Sequence, residues 1–501
     1  MKFGRLSAAL AAVCAALAAA GCGGTTQKAG VSGESGASLV RSGALAFAAV
    51  DSDLSSSQWK QVDALLKKFP AHDRWIRELK QSLRNDDPPL DYDRDLKDAL
   101  GPEVDVAVVA APGATPAFAV MTEPDSMDKA KALVRKENAA DNGDKAVSRE
   151  VNGWLVVADS SEMIDRVLKA PGGSSLADDG LFKEAIGSLP ADGLAKAFVD
   201  GAQLGRLAGS LIPYGQTAAV GTNPLAPFGL DRLDWIGAAL DAKGDGIRFQ
   251  AGVNGAGGAR ALGSAAPYAS KLLSGVPADA FAFATFRGAN GTNQLERLRR
   301  NPQFRQPFAE LERRLGMSLD SVLALFSHEV AFYVRRGPGL PEFSLVLEAP
   351  DTQAALKTID RLAARVGALV HSGVTVEQQG GLTVKSLAVS RVTVHWAGFD
   401  GRVLLTTGPT GIADYRAGGD KLSGSAEYKD ALAAAGAPDK TGGLVYVNLR
   451  DATQLIESYF GLSGEKMPPD VAANLKPLRS FVAYSTTAGG LTKLAAFLQV
   501  K

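Results

Sequence analysis

Two cysteines, four histidines and a few short polar motifs are the groups in this chain whose types and spacing could do chemistry. Cys22 stands out among them. It closes the run Ala19-Ala20-Gly21-Cys22, which follows an apolar stretch from Leu6 to Ala20 and a basic start at Lys2 and Arg5. Small residues ahead of a Cys suit a peptidase that cuts before a thiol already carrying a diacylglycerol. The apolar stretch is too short and too Ala-rich for a comfortable membrane span, so residues 1–21 read as a signal peptide. Cys22 is then the expected lipidation site, and the membrane is the expected partner through it. Two acyl chains make a stable anchor, since each buried CH₂ contributes about 0.8 kcal/mol.

The remaining candidates lack a complete motif. Cys14 falls within the segment to be removed, which leaves the mature chain no thiol for a disulfide, a metal or a nucleophile. His72, His328, His371 and His395 share no ligand spacing. His328-Glu329 begins like a zinc-protease motif, but Phe332 stands where the second His belongs. Asp91-Tyr92-Asp93-Arg94-Asp95 has the alternating acids of a calcium loop. Leu96 replaces its turn glycine and Pro102 its bidentate Glu, so it reads as an acidic turn at a helix start. Ser57-Gln58-Trp59-Lys60 fits S-x-x-K, and Lys440-Thr441-Gly442 fits K-T-G. No S-x-N lies between them, so they read as a helix start and a strand start. Gly255 to Gly258 has Arg260 where a dinucleotide fingerprint needs its third glycine. The expectation is no catalytic residue, no metal and no cofactor.

Charge excludes another class. Lys plus Arg number 54, as do Asp plus Glu, for a net charge of +0; losing 1–21 removes two cations and no acid, leaving −2. Nucleic acid needs a basic stripe, and none is present. The five tryptophans, at 59, 75, 154, 235 and 396, sit in no basic run and read as core.

The elements that carry these residues are written twice. Ala44–Val50 and Ala280–Phe286 are apolar strand patterns, each followed by an amphipathic stretch broken at Pro70 or Pro302. Glu103–Val108 then matches Glu329–Val334, and Ala117–Met121 matches Phe343–Leu347. Trp154–Val157 matches Arg402–Leu405, each after a glycine at a hairpin turn. Ala197–Leu204 matches Val447–Leu455, and Leu233–Gly237 matches Leu478–Val482. Short alternating strands with hairpin signals and intervening helices predict an α+β fold: two tandem copies of a largely antiparallel sheet with packed helices. The expected organisation is a signal peptide over 1–21, a flexible tether over 22–42, a first repeat over 43–254, a Gly-rich joint over 255–267 and a second repeat over 268–501. Such copies would pack about a pseudo-two-fold axis and leave a groove along it.

The signal peptide with Cys22, the strand Ala44–Val50, and the helix with Trp59 and Phe69-Pro70 resemble uncharacterised lipoproteins of high-GC Gram-positive bacteria. That group is domain of unknown function 3352, and the resemblance covers most of residues 40–501. The Cys22 segment is also similar to a bacterial lipobox, with Ala19 in place of its usual Leu. The resemblance implies an envelope lipoprotein on the extracytoplasmic face of the cell membrane and supplies no activity. Three readings follow. A non-catalytic binding or scaffolding module leads, then a carrier or receptor for an apolar ligand, then an envelope hydrolase. An apolar cavity would favour the carrier, and converging buried acids the enzyme.

Overall fold

Alternation of buried and half-buried residues along Ala46–Asp51 makes this segment a strand covered on both faces, and it sits at the centre of its sheet. The computed structural model describes residues 30–85, 88–111, 114–140, 145–210, 232–255, 266–288, 302–337, 340–462 and 466–501. Cys22 and the signal segment lie outside the described residues. Two compact units divide the chain: Met1–Gly258 with Pro468–Pro477 and Val500–Lys501, and Ala259–Met467 with Leu478–Gln499.

In unit 1, β1 (Ala46–Asp51) pairs antiparallel with β2 (Glu103–Ala111) and with β6 (Ala195–Asp200). Beyond β2 come β3 (Ala114–Thr122), β5 (Trp154–Ala158) and β4 (Val147–Val151). Beyond β6 come β7 (Trp235–Lys243) and β8 (Gly246–Asn254). The order is β4-β5-β3-β2-β1-β6-β7-β8. Helices α1 (Ser57–Leu66), α2 (His72–Asn85) and α3 (Lys97–Leu100) link β1 to β2, and α4 (Met127–Ala140) links β3 to β4. Helices α5 (Ser161–Val167) and α6 (Gly180–Gly187) link β5 to β6, and α7 (Gly201–Ser210) follows β6. Phe182 of α6 meets Phe47 and Phe198 edge-on at 5.7 and 5.3 Å, the T-shaped geometry that ring quadrupoles favour.

In unit 2, β9 (Ala280–Arg287) pairs antiparallel with β10 (Glu329–Arg335) and β16 (Gly443–Asn448). Beyond β10 come β11 (Glu342–Glu348), β15 (Arg402–Thr406) and β14 (Val392–Phe399). The hairpin of β13 (Leu382–Val389) and β12 (Val374–Gln379) extends that side. On the other side β17 (Leu478–Ala488) pairs with β16 and turns at Gly489-Gly490 into β18 (Leu491–Val500). Helices α8 (Pro302–Leu315) and α9 (Leu319–Ala324) precede β10; α10 (Thr352–Val370) follows β11. Helices α11 (Gly411–Arg416) and α12 (Ala426–Ala435) follow β15; α13 (Leu449–Leu462) follows β16.

Each unit is thus an antiparallel sheet with packed helices, an α+β fold. The strand order β14-β15-β11-β10-β9-β16-β17 repeats β4-β5-β3-β2-β1-β6-β7, and unit 2 adds the hairpin β12–β13. The turns before β5 and β15 are also alike. Asn152-Gly153 and Asp400-Gly401 both place two residues at positive φ, the conformation of a tight two-residue hairpin.

Two boundaries differ from expectation. Helix α14 (Pro469–Leu475) groups with unit 1, not with the second repeat of 268–501. Ala71 N donates to Asn474 Oδ1 at 2.9 Å and Lys68 Nζ to Val500 O at 2.8 Å. These bonds join residues some four hundred positions apart, which no local pattern signals. The tether expected over 22–42 is at odds with the packing of its second half. Val31, Ala37, Leu39 and Val40 are buried, and Arg41 N and Ser42 N donate to Val167 O and Ser174 O. Four apolar residues scattered among Gly and Ser are enough to bind the segment to the sheet, because β-bridges at Val40 and Arg41 satisfy its backbone. Among the described residues no helix is long and apolar enough to cross a membrane.

Candidate functional site

The first feature is an apolar cavity in unit 1. Val104, Val120 and Thr122 project from β2 and β3, and Leu155 and Val157 from β5, onto one face of the sheet. Ala130, Leu133 and Val134 of α4 roof them, and Leu90, Leu96, Ala99 and Leu100 close the side. The space within this partly open pocket is ≈ 70 Å³. Thr122 Oγ1 is already spent on the Glu103 carbonyl at 2.9 Å and on Leu100 O. The remaining polar lining residue is Glu137. Such a wall offers dispersion contact and, apart from Glu137, nothing to orient a polar substrate.

The second feature lies on the opposite face of the same strands. Asp51 of β1 stands opposite Glu103 of β2, and Asp105 follows two residues on, so all three carboxyls share one face. Asp105 is fully buried, and Asp51 and Glu103 are nearly so. Ser56 Oγ donates to Asp51 Oδ2 at 2.6 Å and Asp53 N to Asp51 Oδ1 at 3.0 Å. Burial outweighs those bonds and pushes Asp51 up to about 7. Neither oxygen of Asp105, nor Glu103 Oε1, has a hydrogen-bond partner. Burial first, then the neighbouring Glu103 charge, raise Asp105 well above the carboxylate range, and burial raises Glu103 too. Lys196 of β6 lies in the same row, with Ala49 between it and Asp105. Its ammonium donates to Ser32 O at 2.8 Å and Ala191 O at 2.6 Å. Burial lowers its pKa.

Unit 2 holds a different solution at the corresponding place. Glu329, at the start of β10 as Glu103 is at the start of β2, stands opposite Arg287 rather than an acid. It accepts from Lys271 N at 3.0 Å, Leu272 N at 3.3 Å and Thr285 Oγ1 at 3.2 Å, and also from Ser270 Oγ.

None of the acids was singled out by type and spacing. In Glu103-Val104-Asp105-Val106 the alternation reads as an apolar face and a solvent face. Cover by residues 31–40 makes the acid face an interior. The histidines and short motifs of the sequence lie at separate places in the fold. His72 bridges Asp63 and Asp73 at 3.3 and 2.9 Å, and His371 ends α10 at positive φ. His328 is exposed, and His395 is half-buried on β14. Asp91 caps a π-helical turn over Tyr92–Leu96 by accepting from Arg94 N. Asp95 pairs with Arg94 at 2.7 Å and with Lys136 at 3.0 Å. Ser57 is the first residue of α1, whose cap is Ser56. It belongs to unit 1, whereas Lys440 belongs to unit 2. Among the described residues no three His, Cys, Asp or Glu side chains are grouped to hold a metal ion.

One family model, that of a protein of unknown function, matches the chain. The model of DUF3352 matches residues 131–500, and the chain belongs to that family. Comparison with curated proteins finds no match. Among solved structures, crystal form IV of TP0453 is 14% identical, covering 45% of this chain and 79% of that one, with a TM-score of 0.24. Crystal form III of TP0453 is 10% identical, covering 46% and 92%, with a TM-score of 0.23. AnaPT from Neosartorya fischeri is 13% identical, covering 87% and 90%, with a TM-score of 0.13. Likenesses of this strength assign no activity.

Proposed function

We propose that this protein is a lipid-anchored, non-catalytic binding module of the cell envelope, descended from a duplicated α+β unit, that takes the hydrocarbon end of an apolar ligand. The observation that carries the binding reading is the cavity under α4. An engineered apolar cavity of about 150 Å³ holds one benzene. At ≈ 70 Å³, this one suits the narrow end of an aliphatic chain better than a ring. The hydrolase reading draws less support, because Asp51, Glu103 and Asp105 are buried and Gly36 packs directly on Asp105. The matching strand orders support duplication.

Calorimetric titration of the purified chain with lauric acid is expected to show saturable binding with a negative heat-capacity change, the mark of apolar burial. Ala130→Leu, which fills the cavity, is expected to weaken it at least tenfold. Absence of saturable binding, or equal binding by the variant, would reject this ligand class. The anchor has its own test. Cys22→Ala is expected to leave an unprocessed or released protein, seen by mass and membrane fractionation. A variant that stays with membranes at wild-type mass would reject the anchor.

A further inference from the structure

We propose that residues 30–42 form a strap locked by protons on Asp105 and Glu103, closed in acid and released as the pH rises. The strap crosses the acid-bearing face of unit 1. Its backbone is tied at three places: Val31 N to Gly193 O, Arg41 N to Val167 O, and Ser42 N to Ser174 O. Between those ties Gly36 packs against Asp105 and Trp154 so closely that a Cβ there would overlap the carboxyl. Ala37 and Val40 are fully buried. Closing the strap therefore takes Asp105 out of water beside the buried Glu103.

Neither oxygen of Asp105 nor Glu103 Oε1 has a well-formed hydrogen bond; the groups nearest to donating are the Gly36 N–H of the strap and a proton shared between the two carboxyls themselves. Two adjacent carboxylates in that position would each be buried, unpaired and mutually repelling, so the closed state holds protons that the open state gives up. The surrounding charges do not remove this need. Lys196 favours the charged form of Glu103 through space, but burial outweighs it, and its hydrogen bonds go to Ser32 O of the strap and to Ala191 O. Its other charged neighbours, Glu34 on the strap and Asp192 before β6, are acids. Glu123 after β3 and Asp53 after β1 add negative charge near Glu103 and Asp51. Tyr92 also feels Asp51 and Asp53. Unit 2 provides a comparison within one chain. There Glu329 holds Ser270, Lys271 and Leu272 by direct hydrogen bonds, opposite a cation.

The sign follows from linkage. Below about pH 4 the carboxyls are protonated whether the strap is open or closed, and closure is strongest. Above that range the open state releases protons that the closed state retains. Each pH unit then favours opening up to about tenfold per proton, until the closed-state carboxyls titrate. If the anchor reading holds, opening would also lengthen the tether to the membrane; the strap itself does not depend on that reading.

Hydrogen exchange of the full chain at pH 5.5 and 8.5, corrected for intrinsic rates, tests this. Opening at Val31, Arg41 and Ser42 is expected to rise at least tenfold over that range, with β7 and unit 2 amides as internal controls. Asp105→Asn is expected to remove at least a tenfold part of the rise. Glu103→Gln serves the same purpose if the first variant does not fold. A flat wild-type profile overturns the proposal by itself. So does a rise of wild-type size in the folded variants.

Discussion

Glu329→Ala is expected to destabilise unit 2 by about 3–5 kcal/mol, read from urea unfolding of the full chain. Glu329 is fully buried. Its two oxygens serve Ser270, Lys271, Leu272 and Thr285, which ties the segment before β9 to the start of β10. Truncation to a methyl leaves two backbone N–H groups and two hydroxyls without their acceptor. Each orphaned buried group costs about 1–3 kcal/mol, and water entering the space recovers a part of that. Glu329→Gln keeps the volume and one oxygen, so it is expected to cost less than half as much. Hydrogen exchange at Lys271 and Leu272 should accelerate in the Ala variant before the rest of unit 2. A cost below about 1 kcal/mol for Glu329→Ala would show that this carboxyl does not hold the segment.

Arg335→Ala is expected to have a comparable effect, about 3–5 kcal/mol, for an electrostatic reason. Arg335 and Glu342 side chains are 10% and 9% exposed, and Nε meets Oε2 at 2.6 Å. The same guanidinium reaches Asp414 Oδ2 and, at 3.3 Å, Thr410 Oγ1, which pins α11 beside the sheet. Removing the cation leaves Glu342 desolvated without compensation. Replacing the pair by apolar residues of similar size, Arg335→Met with Glu342→Leu, is expected to recover most of the loss, because desolvation nearly offsets attraction in a buried pair. Failure of the double variant to recover stability would assign the effect to lost packing instead. Burial works against Asp414 ionisation, but Thr410 and Arg335 hold its carboxyl below the usual range. That stabilisation is present above the ordinary carboxylate range and fades as pH falls through it. The strap of unit 1 moves in the opposite direction, strengthening in acid.

The positions of many strands along the chain are legible in the amino-acid sequence because each strand carries its own period. Ala44–Val50 and Glu329–Val334 alternate within single segments, and Asn152-Gly153 and Asp400-Gly401 are turns of the residues that tolerate positive φ. Those signals are local, so they survive without knowledge of the partner strand. They predict the α+β class, the paired blocks and the helix starts at Ser57 and Asp91. What covers a face is a long-range fact. The Gly- and Ser-rich stretch 30–42 has the composition of a tether, yet the sheet face it meets turns Val31, Leu39 and Val40 into core. The same cover converts Glu103 and Asp105 from a solvent-facing alternation into buried carboxyls. The cavity under α4 depends on how far a helix stands from a sheet, which no residue period encodes. The placement of α14 and Val500 in unit 1 depends on contacts across some four hundred residues. Local chemistry therefore determined the elements along the chain, and only tertiary packing decided which strands pair and which acids, which apolar residues and which segment would share an interior.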